Sequence, residues 1–271
     1  MKPRISLVIA IVFISIGLFS CKSSGTKEEK VATLETSRVD AKKLKAEIVE
    51  LIMALPDNQE TVNLINETGA AYIAGLTLED IQTDNLLTRA ANARTYGGVL
   101  FDMAYANTYN QVNTFSKLLD INETLVRKLG FEEFINQQKE LEKRYVDNRD
   151  NRDSVDQIVS ELLASSNEYI QKHGSPSDIS LVFAGATTKS LYVISNVTIF
   201  AMNNDKLVDL MKNQKDRIES AVKILEMSGE DTEVKKMAEA IKPVMDLYSE
   251  TETFDLAAVE KIRDMTSFIM Q

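Results

Sequence analysis

Residues 181–202 read LVFAGATTKSLYVISNVTIFAM, with Lys189 as the one formal charge near the middle. A helix that is apolar all round is buried in protein or lies in a bilayer. Two features favour the protein interior. A lysine at the centre of a membrane span costs about 2.5–3.5 kcal/mol, and Thr187, Thr188, Ser190, Ser195 and Asn196 surround this one. Residues 96–106, YGGVLFDMAYA, show the same character with Asp102 as their one charge. Both are expected as central helices of a soluble bundle. Gly97-Gly98 and Ala184-Gly185-Ala186 would let other backbones approach closely.

Around these segments the apolar period is helical from about residue 34 onward. Stripes run through Leu44–Leu55, Val112–Leu129, Phe131–Tyr145, Val155–Ile170, Leu207–Leu225, Val234–Ile241 and Leu256–Ile269, with no convincing alternation of strand type. Capping boxes are expected at Asp57/Glu60, Thr77/Asp80 and Ser154/Gln157. Gly130, Gly174 and Gly229 each follow a stripe, where a left-handed residue ends a helix. In HGSPSD, Ser175 should cap a helix whose first turn holds Pro176, and Pro243 should kink or split the helix around it. The fold class is therefore all-α: a multi-helix bundle, or a right-handed stack of helix pairs with TPR-like geometry, around two apolar central helices. Those two helices share a Leu-aromatic pair (Leu100-Phe101, Leu191-Tyr192), but the alignment between them is poor. No 34-residue TPR consensus is legible.

The chain opens MKPRISLVIAIVFISIGLFSCKSS. Lys2 and Arg4 precede an apolar run, Ile5–Gly17, that suits a signal peptide and is short of the roughly 20 residues of a membrane span. Leu18-Phe19-Ser20-Cys21 then resembles the lipobox of bacterial lipoproteins, and Cys21 is the one cysteine of the 271 residues. The resemblance implies a diacylglycerol thioether on the Cys21 sulfur, cleavage before Cys21, and acylation, typically by palmitate, of the new amino terminus. Residues 1–20 are thus expected as a signal peptide, 21–33 as a lipidated flexible tether and 34–271 as one helical domain. Cleavage would take Lys2 and Arg4 from 31 basic residues and none of the 41 acidic ones, leaving a formal −12. Such a body is a poor match for nucleic acid. The lipid would hold the protein to a membrane of the cell envelope, expected as the outer membrane, facing the periplasm or the exterior.

The lipobox, the stretch GGVLFDMAYANTYNQ at 97–111 and KSLYVISN at 189–196 together resemble a family of all-helical Bacteroidetes lipoproteins. Gly97, Asp102, Tyr105, Ala106 and Leu191-Tyr192 match its two central-helix patterns. The tryptophan of the second pattern is missing. The resemblance implies an all-helical, membrane-anchored protein and no particular activity.

Composition narrows the chemistry. One histidine cannot build a multi-histidine metal site, and a single lipidated cysteine leaves no thiol for catalysis or disulfides. No phosphate loop, dinucleotide fingerprint, nucleophile elbow or EF-hand is present, so neither cofactor nor metal is expected. His173, beside Gly174, suits a last helical turn, where an imidazolium meets open carbonyls. Asp102 is the candidate polar spot; Tyr105 and Tyr109 share its helical face. A buried charge needs a partner, and Lys189, Arg94 and Arg89 are the candidates, in that order. Asp102 and its cation would then form a core ion pair fixing helix register, or Asp102, Tyr105 and Lys189 would line a ligand pocket. YVDNRDNRDSVD at 145–156 is expected as a solvated loop, because its arginines oppose a cation and calcium loops need a glycine turn and a final bidentate acid. Asp153-Ser154-Val155 resembles the O-glycosylation motif of Bacteroidetes exported proteins, which makes Ser154 a candidate acceptor. The expected function is a helical binding or scaffold module for a protein or small ligand. The alternatives are an envelope hydrolase or lyase using Asp102 with a tyrosine, and a purely structural envelope protein.

Overall fold

A computed structural model describes residues 26–201, 204–229 and 231–270. The chain divides into Met1–Asp40 and Ala41–Gln271, and the helical bundle is the second unit. The expected signal peptide and Cys21 lie outside the described residues. Helix α1 spans Thr26–Met53, so the stretch expected as tether is helical from residue 26. TKEEKVAT holds good helix formers and neither glycine nor proline.

The other helices are α2 (Asn58–Glu67), α3 (Arg89–Thr108), α4 (Val112–Lys128), α5 (Glu132–Asp147), α6 (Arg152–His173), α7 (Pro176–Phe200), α8 (Asp205–Lys212), α9 (Lys215–Met227), α10 (Thr232–Glu250) and α11 (Leu256–Met270). No strand occurs among the described residues. Helices α3 and α7 contain the two apolar segments and pack on each other, with α4 and α2 also against α3 and with α9 and α11 also against α7. In a solenoid each repeat touches its sequence neighbours. Here α7 packs on α3 and α11, each several elements away, which makes the arrangement a bundle around a central pair.

Two glycines set how close that pair can come. A methyl group at Gly97 would lie 1.8 Å from the Val182 carbonyl oxygen, and one at Gly185 would lie 1.9 Å from the Arg94 carbonyl oxygen. Each helix thus presses its backbone into the small-residue gap of the other. Around this crossing the core includes Tyr96, Leu100, Phe101, Leu191 and Ile194, all 1 % exposed or less.

The helix ends follow local chemistry, with exceptions. Asp57 caps α2, accepting from the Glu60 N–H at 2.8 Å. Ser175 and Asp178 form a full capping box ahead of Pro176. Gly130 takes the left-handed φ of +72°. Gly174 is instead extended, at φ −67° and ψ 153°, because the next residue already caps α7. Gly229 is not among the positive-φ glycines. Asn151, not Ser154, caps α6, accepting from the Ser154 N–H at 3.1 Å; starting there places Asp153 in the first turn, favourable to the helix dipole. Pro243 does not split α10: it is exposed, so water can satisfy the carbonyl it frees. The stripe expected over Leu207–Leu225 is two helices, parted at Asn213-Gln214. The solvated loop expected at 145–156 shrinks to 148–151 between α5 and α6.

Residues 69–88 depart furthest from expectation. Thr77 and Asp80 cap no helix; the segment is irregular apart from a 3-10 turn at Thr83–Asn85. It runs as a strap over the polar face of the central helices.

Candidate functional site

Asp102 and Tyr105 lie on one face of α3, Tyr109 at its C-cap continues the spacing, and Lys189 approaches Asp102 from α7. All four hold the strap. The Tyr109 hydroxyl donates to the Ala70 carbonyl at 2.9 Å. The Tyr105 hydroxyl accepts from the Ile73 N–H at 3.1 Å. The Asp102 Oδ2 accepts from the Leu78 N–H at 2.7 Å, and the Lys189 ammonium donates to the Leu76 carbonyl. An extended segment lacks internal backbone bonds, so its groups need partners elsewhere. These side chains supply them. Tyr72, from the strap, stacks on Tyr105 with ring centroids 5.0 Å apart.

The charges also satisfy each other. Lys189 Nζ lies 3.2 Å from Asp102 Oδ2, with side-chain exposures of 1 % and 0 %. Burial pushes the Asp102 carboxyl up to about 6; Lys189 and the Leu78 N–H pull it back only part of the way. Of the three expected cations, Lys189 is the partner. Arg89 instead forms a fork on Asp178, at 2.8 and 3.0 Å, and Arg94 donates to the Ile269 carbonyl at 2.8 Å. The space beside Lys189 and Gly98 is about 20 Å³, room for roughly one water and far below a small-molecule pocket.

The remaining candidates lie apart from this cluster. Ser154 is half-buried in the first turn of α6. His173 ends α6, its ring stacked on Tyr169 at 4.2 Å. Among the described residues no three His, Cys, Asp or Glu side chains are grouped to hold a metal. Asp156, in the acidic stretch, pairs with Arg152 at 2.6 Å and accepts from Asn107 at 2.8 Å.

Sequence reasoning passed over a second location. Where α1 ends and α2 begins, the chain passes α6 and α7 and leaves a cleft of about 360 Å³. Its walls include Ile52, Leu55, Ile170, Val182 and Phe183, with Arg217 of α9 among the lining residues. Lys45 ties α1 to the end of α6, its ammonium donating to the Lys172 and Gly174 carbonyls at 2.7 and 3.0 Å. Arg217 is 4 % exposed. It donates to the Pro56 carbonyl at 2.7 Å and to Asn58 Oδ1 at 3.2 Å, while its buried Nε has no partner. Its guanidinium sits 5.2 Å over the Phe183 ring. Burial pushes the Arg217 pKa down to about 10, against a weak opposing pull from Asp57. The one sequence signal was its place on an inward face of α9 with Ala221 and Ile224, at spacings of four and seven.

The described chain is thus an all-α bundle in which a sealed ion pair ties two central helices to a strap, with an arginine-lined cleft to one side. No known protein family, curated protein or solved structure matches it. Among the described residues no helix is long and apolar enough to cross a membrane.

Proposed function

We propose that the chain is a lipid-anchored helical binding module of the bacterial cell envelope, tethered through Cys21 and holding a small molecule without converting it. The cleft beside α1, α6 and α7 carries this reading. Its volume falls at the lower end of small-molecule sites, and it combines apolar walls with a few polar groups, the usual make-up of such sites. In this reading Asp102, Tyr105 and Lys189 serve to hold the strap. The anchor is supported by the order of charge, apolar run and LFSC at residues 1–21. Two acyl chains hold a protein stably where one does not, at roughly 0.8 kcal/mol per buried methylene.

The two halves are tested on one preparation. Full-length protein from the cells that make it should fractionate with membranes and incorporate labelled palmitate; Cys21→Ser should lose both. Native mass spectrometry of the detergent-extracted protein should show a retained molecule of fixed mass that leaves on denaturation. Unchanged fractionation of Cys21→Ser overturns the anchor. A protein that carries nothing when extracted, and gains no thermal stability from extracts of its own cells, overturns the binding reading.

A further inference from the structure

We propose that the cleft beside Arg217 binds a small organic monocarboxylate with an apolar body, the carboxylate meeting the Arg217 guanidinium and the body resting on Ile52, Val182 and Phe183. The inference rests on the reading of the chain as a binding module and names the ligand chemistry of its cleft.

A buried cation without a counter-ion is costly. Among the described residues the other fully buried charges have theirs: Lys189 and Asp102 have each other, and Asp178 has Arg89. Arg217 is the exception among these four. Its bonds go to a carbonyl and to an amide oxygen, both neutral, and its Nε has no acceptor among the described residues. Asp57 favours the Arg217 charge through space but does not outweigh its burial. A carboxylate supplies the missing charge and matches the planar fork of a guanidinium, which a point-like partner does not.

The surroundings limit the class further. Asp57 and Glu60 are exposed residues on the same cleft. They repel incoming anions in proportion to charge, so a single carboxylate enters more readily than phosphate or a diacid. Asn167 and Gln171, one turn apart on α6, add amide groups that can bond a second polar atom of the ligand. A volume of about 360 Å³ suits a body the size of one ring or a short chain.

Phenylacetate is a suitable probe, phenylacetamide its neutral isostere and inorganic phosphate the bare anion. Each is titrated calorimetrically into the full-length protein in detergent. Phenylacetate should saturate one site per chain, with phenylacetamide and phosphate each weaker by about tenfold or more. Gln171→Trp should fill the cleft from a half-buried position. It should weaken phenylacetate by a similar factor while leaving the circular dichroism and Tm unchanged; should its Tm fall, Asn167→Phe takes its place. Equal binding of phenylacetamide, equal binding of phosphate, indifference to filling the cleft, or no saturation by phenylacetate at about 10 mM would each overturn the proposal. A neutral molecule retained by the native protein, with phenylacetate failing to bind, leaves the binding module intact and removes this inference alone.

Discussion

Lys189 Nζ lies 3.2 Å from Asp102 Oδ2 inside the core, and the same two groups hold the Leu76 carbonyl and the Leu78 N–H of the strap. Removing one partner leaves the other charge buried and unpaired. Lys189→Met should therefore cost about 3–5 kcal/mol in denaturant unfolding at neutral pH. Asp102→Leu combined with Lys189→Met should be less unstable than the two single losses added together, by about 2 kcal/mol or more. It should not reach wild type, because two strap backbone groups lose their partners at about 1–3 kcal/mol each. Simple additivity of the two singles would show that the charges do not act as a pair.

The pair also gives a signed pH dependence. Burial raises the folded Asp102 carboxyl to about 6 from an ordinary 3.8. The folded state therefore holds this proton more tightly than the unfolded chain does. Wild-type stability relative to Asp102→Asn should be greatest below about pH 4 and should fall as pH rises through 6, by about 3 kcal/mol in total. The Lys189→Met penalty should shrink at pH 5, where the lone carboxyl takes up a proton. Parallel stability curves for wild type and Asp102→Asn between pH 4 and 7 would contradict the assignment.

Neighbouring glycines on α3 should respond unequally. A methyl group at Gly97 meets the Val182 backbone oxygen at 1.8 Å, which can yield only by parting the helices. At Gly98 the nearest atom is the Leu78 Cδ1 at 3.0 Å, the end of a flexible side chain. Gly97→Ala should cost about 3 kcal/mol or more in thermal or denaturant unfolding, in line with overpacking a tight core. Gly98→Ala should stay within about 1 kcal/mol of wild type, since alanine's higher helix propensity offsets a small shift. Equal effects at the two positions would mean the crossing is looser than described.

The central crossing was legible because its signal is local. A segment with no polar face is buried in protein or bilayer, its central charge and polar neighbours favour protein, and one charge in each such segment invites the pairing of Asp102 with Lys189. The strap was not legible. Thr77 and Asp80 have the spacing of a capping box, and nothing nearby reveals that the Leu78 N–H is taken by Asp102, 24 residues away in the chain. Ser154 lost the cap to Asn151 for a related reason: both can cap, and the choice depends on where α6 must begin. Arg217 was hidden by its type. An arginine beside Lys215 and Asp216 reads as part of a solvated face, and only the turn at Pro56–Asn58, some 160 residues earlier, turns it into a buried group.

A second ion pair fixes the start of α7. Arg89, at the first residue of α3, places Nε and Nη2 on the two oxygens of Asp178 and Nη1 on the Leu129 carbonyl at 2.7 Å. Asp178 also accepts from the Ser175 N–H and hydroxyl at 2.9 and 2.8 Å. Burial alone would raise this carboxyl, but the Arg89 fork and the Ser175 donors outweigh it and hold it below 3.8. Its contribution to stability is therefore present above about pH 4 and is lost as the pH falls through its lower folded value. Arg89→Lys keeps the charge and loses the fork. The Arg89 side chain is 51 % exposed, so water takes over part of the loss and the cost at neutral pH should be about 1 kcal/mol. That cost should be smaller at pH 3, below the ordinary carboxylate value, where the unfolded carboxyl is largely protonated and ionised Asp178 contributes less to stability in either protein. Denaturant midpoints of the two proteins at both pH values decide it: an identical gap would mean that Arg89 acts through packing on Phe131, 5.5 Å from its guanidinium, and not through Asp178.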